Sequence, residues 1–326
     1  MPPMLAGIAV LSFLATFALL RLLLSRFGLL VLDRPNERSL HQRPVPRTGG
    51  IPIMLVAAAS LGFGAETLWL PLAAAVALAV VSFVDDLRSM PVIARLFAHL
   101  AASGVVAWHV LSPMHPLELV LIVFAIAWIT NLYNFMDGSD GLAGGMAVSG
   151  FGAYALAAWQ SGDAPLTVAN VALAAAAAAF LVHNFHPARI FLGDVGAIPL
   201  GFLAAVFGIV GWRDDAWPLW FPLLVFAPFI GDATLTLFRR LLRRERVWQA
   251  HREHYYQRMV RMGLGHRRTA LIAYVLMALC AVAALLGRSE APTVQWTVFA
   301  GTSALLAVVA AWVDFKWARR TAETST

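Results

Sequence analysis

The sequence predicts an all-α, polytopic transmembrane helical bundle of about 10 or 11 spans. Of its 326 residues, 60% are hydrophobic and 13% are charged, and the mean hydropathy is +0.74. A chain of this composition needs lipid as its solvent. Apolar stretches recur along the whole length, so we expect one integral-membrane domain over residues 1–326 and no separate soluble domain.

Candidate spans can be read from the uninterrupted apolar stretches, because about 20 helical residues at 1.5 Å each cross the hydrocarbon core. Adjacent spans meet near Glu66 and near Ser112 without a clear polar boundary, so the number of spans is uncertain by about one. The single cysteine, Cys280, lies within such a stretch and excludes an intrachain disulfide. The candidate spans are residues 3–25, 49–65, 67–84, 92–111, 116–133, 142–160, 165–183, 195–211, 216–238, 269–287 and 293–315.

The distribution of cations predicts the orientation. Alternate loops carry almost all of them, including a large basic loop at residues 239–268, whereas the other loops carry Arg213 and Arg288. By the positive-inside rule the basic loops are cytoplasmic, which places the N-terminus in the periplasm and the C-terminus in the cytoplasm of a bacterial inner membrane. The sequence pI near 10.2 is therefore a topology signal involving membrane lipid, and we expect no nucleic-acid partner. The basic loops contain Arg34, Arg38, Arg43, Arg47, Arg88, Arg95, Arg189, the arginines from Arg239 to Arg268, Lys316, Arg319 and Arg320.

Acidic residues mark the same cytoplasmic segments. Asp85 and Asp86 end a span, and side chains adjacent on a helix point about 100° apart, so the pair can serve two partners. Asn134, Asp137 and Asp140 recur at intervals of three, which predicts a polar stripe on one helical face. Glycines around them permit close approach to a phosphate, although they also suit a plain turn.

Asp194 stands immediately before an apolar span, where a helix N-cap is the simplest interpretation. However, five carboxylates converging on one surface would repel each other without a cation. Mg²⁺ prefers oxygen ligands and is commonly held by one or two carboxylates together with substrate phosphates, with Mn²⁺ as an alternative ion. Histidine and cysteine spacings typical of zinc are not found in the sequence.

The basic loop contains a histidine segment, residues 251–258. His251, His254 and Arg258 would share one helical face, and Trp248, Tyr255, Met259 and Met262 would form an apolar stripe. The pattern predicts an interfacial helix that presents cations to a site. The alternative is a basic amphipathic loop that contacts only lipid headgroups.

Taken in order, segments 33–50, 83–87, 131–145, 184–201 and 251–258 resemble the polyprenyl-phosphate N-acetylhexosamine-1-phosphate transferases of glycosyl transferase family 4. The resemblance covers residues 30–260. Asp232 with Arg239 is similar to a further family pattern. The resemblance implies catalytic roles for Asp85 and Asp86, a signature formed by Asn134, Asp137 and Asp140, a Mg²⁺ ligand in Asp194, uracil stacking by Phe191, a nucleotide contact by Asn184, and a substrate-binding motif at His251 and His254.

Two departures separate this chain from the peptidoglycan branch of the family. Ser89 stands where many relatives have a third acid or a lysine, and the histidine segment has two histidines instead of three. The chain looks more like the branch that initiates O-antigen or capsule repeats.

The implied reaction transfers a sugar-1-phosphate from a UDP-N-acetylhexosamine to undecaprenyl phosphate. Arg47, Arg258 and the two histidines would offset the negative charge of the two substrates. A homodimer is left open, as is the identity of the hexosamine.

Two other classes of membrane protein share some of these features. A secondary transporter would place its charges near mid-span, often in repeated halves, whereas here they cluster at span ends. A CDP-alcohol phosphotransferase shares the Asp-x-x-Asp-Gly beginning at Asp137 but would need two further aspartates that this sequence lacks after Gly141.

Overall fold

The computed structural model describes residues 2–27, 31–33, 40, 44–246, 249 and 251–323 of the chain. Four residues with predicted roles lie outside this part of the chain: Arg34, Arg38 and Arg43 of the basic loops, and Trp248 of the apolar stripe. Within the described residues the regular secondary structure is helical except for β1 (Leu32–Asp33) and β2 (Val45–Pro46), which pair antiparallel. The helices are α1 (Pro2–Leu22), α2 (Gly50–Ala59), α3 (Trp69–Arg88), α4 (Val92–Leu111), α5 (Pro116–Phe135), α6 (Leu142–Ser161), α7 (Ala164–Asn184), α8 (Asp194–Arg213), α9 (Trp220–Val225), α10 (Ala227–Leu242), α11 (Tyr255–Met259), α12 (Gly265–Gly287) and α13 (Pro292–Glu323).

Nine helical spans in the described part of the chain are long and apolar enough to cross a membrane. They comprise α1, α3 to α8, α13, and α12 together with the preceding α11. The chain is thus a multi-pass membrane protein with an all-helical bundle, as the composition predicted.

Two of the eleven predicted spans differ from the structure. The stretch 49–65 forms the short α2 followed by a 3₁₀ turn, Ser60–Phe63. The stretch 216–238 is divided into α9 and α10 by a break at Phe226. Pro228 explains this break, because proline lacks an N–H and its ring clashes with the carbonyl four residues earlier in a continuous helix.

Helix α8 lies at the centre of the bundle. Its span is 89% buried, and it packs against α3 and α5. The end of α3 lies against the start of α4, where Arg95 pairs with Asp85. The end of α5 lies against the start of α8, where Asn134 hydrogen-bonds Asp194. The polar ends of four helices therefore meet at one end of the bundle.

Candidate active site

Asp85 and Asp86 close the last turn of α3 and bind different partners, as predicted from their positions on the helix. Asp85 accepts hydrogen bonds from the backbone N–H of Met90 at 2.5 Å and from Arg95 at 3.0 Å. Asp86 pairs with Arg47, whose Nη1 lies 3.4 Å from Oδ1. The Asp86 side chain is 4% exposed, and its Oδ2 has no hydrogen-bond partner among the described residues.

Arg47 is placed beside these acids by the loop that precedes α8. Phe191 donates its backbone N–H to the carbonyl of Pro46 at 2.7 Å, and Gly49 donates to the carbonyl of Phe191 at 2.9 Å. Gly193 has φ +72°, and a Cβ at this position would lie 2.1 Å from the carbonyl oxygen of Arg47. Glycine is therefore required here both for the backbone conformation and for the close approach.

Asp194 is the first residue of α8, and the N-cap is Gly193. The simple capping interpretation of Asp194 is therefore wrong. Its side chain hydrogen-bonds Asn134 and lies within electrostatic range of Arg47, Arg95 and Asp85. The carboxylate thus faces the ends of α3 and α5.

Asp137 lies in the turn that follows α5 and approaches Asp194 from the other side. Burial and the negative charge of Asp194 raise the pKa of Asp137 well above its usual value, although a hydrogen bond from the backbone of Gly193 opposes the shift. The charge of Asp33 on β1 also acts on Asp137 and on Asp86. The N-terminal segment therefore adds an acid to the site.

Four of the five predicted carboxylates are brought together: Asp85, Asp86, Asp137 and Asp194. Two residues of this cluster were missed as site residues. The sequence indicated Arg95 only as a marker of membrane topology, and Asp33 only as part of the segment 33–50. The sequence does contain a signal for Arg95. It is a lone arginine in the first turn of an apolar span, and it follows Arg88, which ends the preceding span, by seven residues.

Asp140 does not join the cluster, so the predicted stripe of Asn134, Asp137 and Asp140 is wrong. Helix α5 ends at Phe135, and the chain then turns, which rotates Asp140 away from the line of the helix. Its Oδ2 lies 2.6 Å from Nδ1 of His186 and accepts the N–H of Ala188 at 3.1 Å.

Both polar groups of Asn184 are bound within the protein. Its Nδ2 donates to the carbonyl of Ile190, and its Oδ1 accepts the N–H of Gly141, each at 2.9 Å. Asn184 therefore ties the turn after α5 to the loop before α8, and its nucleotide contact stays a prediction. Phe191 lies in that loop, half-buried, and its stacking on uracil likewise stays a prediction.

The histidine segment is not the predicted interfacial helix. Helix α11 begins at Tyr255 and runs into a π-helical stretch, Val260–Leu264, which is kinked at Gly263 (φ +99°) before α12 begins. His251 precedes it, and His254 is its N-cap, so these two residues and Arg258 do not share a helical face. Three residues of the predicted apolar stripe, Tyr255, Met259 and Met262, pack together against α13, and the fourth, Trp248, lies outside the described residues.

Asp232 of α10 fixes the start of α11. Its carboxylate accepts the backbone N–H groups of Tyr255 and Tyr256 at 2.9 and 3.0 Å, and its Oδ1 lies 3.2 Å from Nδ1 of His254. A carboxylate at the N-terminus of a helix satisfies donors that have no partner within it.

The histidine segment lies against the turn after α5. The hydroxyl of Tyr256 donates to the carbonyl of Phe135 at 3.0 Å, and a Cβ at Gly138 would lie 2.1 Å from that hydroxyl. The ring of His254 stacks near Phe135, with 6.3 Å between centroids. Since Asp137 lies between Phe135 and Gly138, this contact brings the histidine segment to the edge of the acidic cluster.

His251 and Arg258 have different surroundings. Burial, with the charges of His254 and Arg240, lowers the pKa of His251 to about 4. Arg258 is buried and donates to Asp314 of α13 at 2.9 Å. The predicted substrate contact of Arg258 stays a prediction, but its guanidinium is held on the side of α11 that faces α13.

The acidic cluster fits a magnesium ion. No three histidine, cysteine or acidic side chains in the described ranges lie close enough to form a complete protein-only metal site. Mg²⁺ does not need one, since it usually takes one or two carboxylates and completes its shell with water and phosphate oxygens. The buried Oδ2 of Asp86, which has no partner in the described part of the chain, and the carboxylate of Asp194 are hard oxygen donors of the kind that suits this ion.

Known proteins are similar to the part of the chain that contains the acidic cluster. Glycosyl transferase family 4 matches residues 68–212, a range that includes Asp85, Asp86, Asn134, Asp137 and Asp194. The chain is 30% identical to the decaprenyl-phosphate N-acetylglucosaminephosphotransferase of Mycolicibacterium smegmatis over 85% of its own length and 79% of that protein.

Two further relatives differ in how much of the chain they match. The undecaprenyl-phosphate alpha-N-acetylglucosaminyl 1-phosphate transferase of Yersinia pestis is 27% identical over 83% of this chain and 80% of its own. A phospho-N-acetylmuramoyl-pentapeptide-transferase of Anoxybacillus flavithermus is 44% identical, but over 25% of each chain. The site geometry and these similarities together show that the chain belongs to glycosyl transferase family 4.

Proposed function

We propose that the protein transfers an N-acetylhexosamine-1-phosphate from a UDP-sugar to undecaprenyl phosphate and releases UMP. The observation that carries the proposal is the meeting of Asp85, Asp86, Asp137 and Asp194 with Arg47 and Arg95 at one end of a membrane bundle. The end of a membrane bundle is where a lipid acceptor from the bilayer and a soluble donor from the water would meet. The relatives named for the same transfer support it.

The reaction forms one bond and breaks one. A phosphate oxygen of the acceptor attacks the β-phosphorus of the UDP-sugar, and the bond from that phosphorus to the bridging oxygen breaks. UMP leaves with the electron pair, and the product is a lipid diphosphate sugar. Because the second pKa of a phosphate monoester is about 6, the acceptor is already mostly dianionic at neutral pH and needs no strong base.

The residues of the chain act mainly by positioning and by charge. Arg47 and Arg95 have side chains that are 32% and 34% exposed, so they can bind phosphate oxygens while they hold Asp86 and Asp85. Asn134 orients Asp194 through their hydrogen bond. Asp85 and Asp86 therefore act as electrostatic and positioning groups at least as readily as in proton transfer.

Asp194 and Asp86 would hold Mg²⁺, or Mn²⁺ in its place. When bound, this ion would neutralise negative charge on the diphosphate of the donor. The histidine segment, with His251 and His254, would contact the nucleotide sugar, and Phe191 would stack on its base.

We place the site on the cytoplasmic face of a bacterial inner membrane and assign the product to the initiation of O-antigen or a related envelope polysaccharide. The orientation rests on the basic loops, which the positive-inside rule makes cytoplasmic. External protease should therefore leave Arg252 uncut in intact cells, and cleavage there would reverse the orientation.

The decisive experiment incubates purified protein with undecaprenyl phosphate, Mg²⁺ and a panel of UDP-N-acetylhexosamines and measures UMP and the lipid product. We expect UMP release that requires both the acceptor and the metal, and that differs among the sugars. UMP release that does not require undecaprenyl phosphate would contradict the proposal, and so would the lack of UMP release with every donor in the panel.

A further inference from the structure

Helix α13 and the histidine segment both lie outside residues 68–212, which match the family model, and one side chain of α13 contacts that segment. Asp314 accepts hydrogen bonds from Arg239 at 2.7 Å and Arg258 at 2.9 Å on Oδ1, and from the hydroxyl of Tyr255 at 3.2 Å on Oδ2. One carboxylate thus joins the end of α10, the first turn of α11, and α13.

The setting of Asp314 distinguishes it from an ordinary surface ion pair. Val313, next to it, is the one buried residue in the described part of α13, and only 6% of the apolar window of this helix is buried. The side chain of Arg258 is 10% exposed, and its Nη2 lies 3.8 Å from Glu253, so Asp314 is its nearer carboxylate. Arg258 is the more buried partner, since the Asp314 side chain is 29% exposed, and removal of Asp314 leaves the buried guanidinium without its nearer carboxylate.

Asp314 and Asp232 hold the start of α11 at two different points. Asp232 binds the backbone N–H groups of Tyr255 and Tyr256, and Asp314 binds the side chains of Tyr255 and Arg258. Successive helical residues point about 100° apart, so fixing Tyr255 toward α13 sets the direction of Tyr256. Tyr256 then reaches the carbonyl of Phe135, beside the acidic cluster.

We propose that Asp314 is a positioning residue of the nucleotide-sugar site. It fixes the rotation of α11 through Tyr255 and Arg258 and so sets His254 and Tyr256 against the turn at residues 135–138. This inference rests on the proposed function, because it takes the histidine segment to contact the UDP-sugar. Arg47 and Arg95 are held by Asp86 and Asp85, so their proposed binding of phosphate oxygens does not depend on Asp314.

The test compares purified Asp314→Ala and Asp314→Glu with the unaltered protein. We expect Asp314→Ala to raise the KM for UDP-N-acetylglucosamine about tenfold, because small displacements of positioning groups have effects of this order or larger. The KM for undecaprenyl phosphate should stay within about twofold, and Asp314→Glu should recover part of the loss. The matched control is Asp214→Asn, which removes an ion-paired carboxylate next to Arg213 at the other end of α8 and should change neither KM.

A second readout does not need activity. Hydrogen exchange of the backbone amides in residues 255–259 should become faster in Asp314→Ala and stay unchanged in Asp214→Asn. Unaltered exchange, or a lower melting temperature with an unaltered KM for the UDP-sugar, would overturn the inference. If the unaltered protein releases no UMP, the proposed function fails, and the exchange rates still report whether Asp314 holds α11.

Discussion

Arg95 lies 3.0 Å from Asp85 and ties the first turn of α4 to the last turn of α3. Together with the N–H of Met90, it occupies both oxygens of that carboxylate. The neighbouring Asp86 keeps Oδ2 without a hydrogen-bond partner among the described residues. Two adjacent aspartates therefore differ: Asp85 is held by the protein, whereas Asp86 has an oxygen available for an ion or a substrate.

Arg95→Ala should therefore reduce turnover more than stability. Arg95 is 34% exposed, and the buried Asp85 keeps its hydrogen bond from Met90, so the loss should cost only about 1 kcal/mol of folding free energy. The displaced Asp85 and the lost cation should lower kcat about tenfold or more. UMP release and the melting temperature in detergent measure the two effects.

The control for this prediction is Arg88→Ala, which removes an exposed arginine three residues after Asp85. We expect near-normal turnover in that variant. Equal losses of turnover in the two variants would mean that general positive charge matters and that the contact with Asp85 does not.

Asp194→Asn should abolish turnover while the protein remains folded. The substitution keeps the shape of the side chain and its contact with Asn134 but removes the charge that would hold a divalent ion. The measurement is UMP release across a Mg²⁺ titration, with the melting temperature as a test of folding. Unaltered Mg²⁺-dependent activity in this variant would refute the assignment of Asp194 as a metal ligand.

The sequence was sufficient to predict the bundle and most of the acidic cluster, because apolar run length and the spacing of acids carry that information directly. It was not sufficient for Asp140. The spacing of three from Asp137 suits a helix, but α5 ends at Phe135, and the partner His186 lies 46 residues further along the chain.

The histidine segment shows a similar limit. Its periodicity predicted an interfacial helix that includes His251, whereas α11 begins at Tyr255 because Asp232, on another helix, binds the first N–H groups. Tertiary contacts of this kind determine where a helix begins, and the local sequence pattern contains no information about them.

Gly193→Ala should destabilise the protein and displace Arg47. The new Cβ would lie 2.1 Å from the carbonyl oxygen of Arg47, and the backbone at φ +72° disfavours any side chain. We expect a loss of roughly 1–3 kcal/mol in folding free energy, with reduced turnover. Gly152→Ala is the control, because a Cβ there meets nothing within 4 Å in the middle of α6, and alanine is the better helix former. The prediction fails if the two variants melt at the same temperature.

His251 should make the protein less stable as the pH falls below neutral. Burial, followed by the charges of His254 and Arg240, lowers the pKa of His251 to about 4, whereas an unfolded histidine titrates near 6.5. Between these values the unfolded chain binds more protons than the folded one, so stability rises with pH across this window. The contribution is complete above about pH 6.5 and is lost as the pH falls toward 4. His251→Gln should therefore show a smaller drop in melting temperature from pH 7.5 to pH 5 than the unaltered protein. His109→Gln, which replaces an exposed histidine at the far end of α4, should keep the full drop. An identical drop in His251→Gln and the unaltered protein would show that protonation of His251 is not linked to folding.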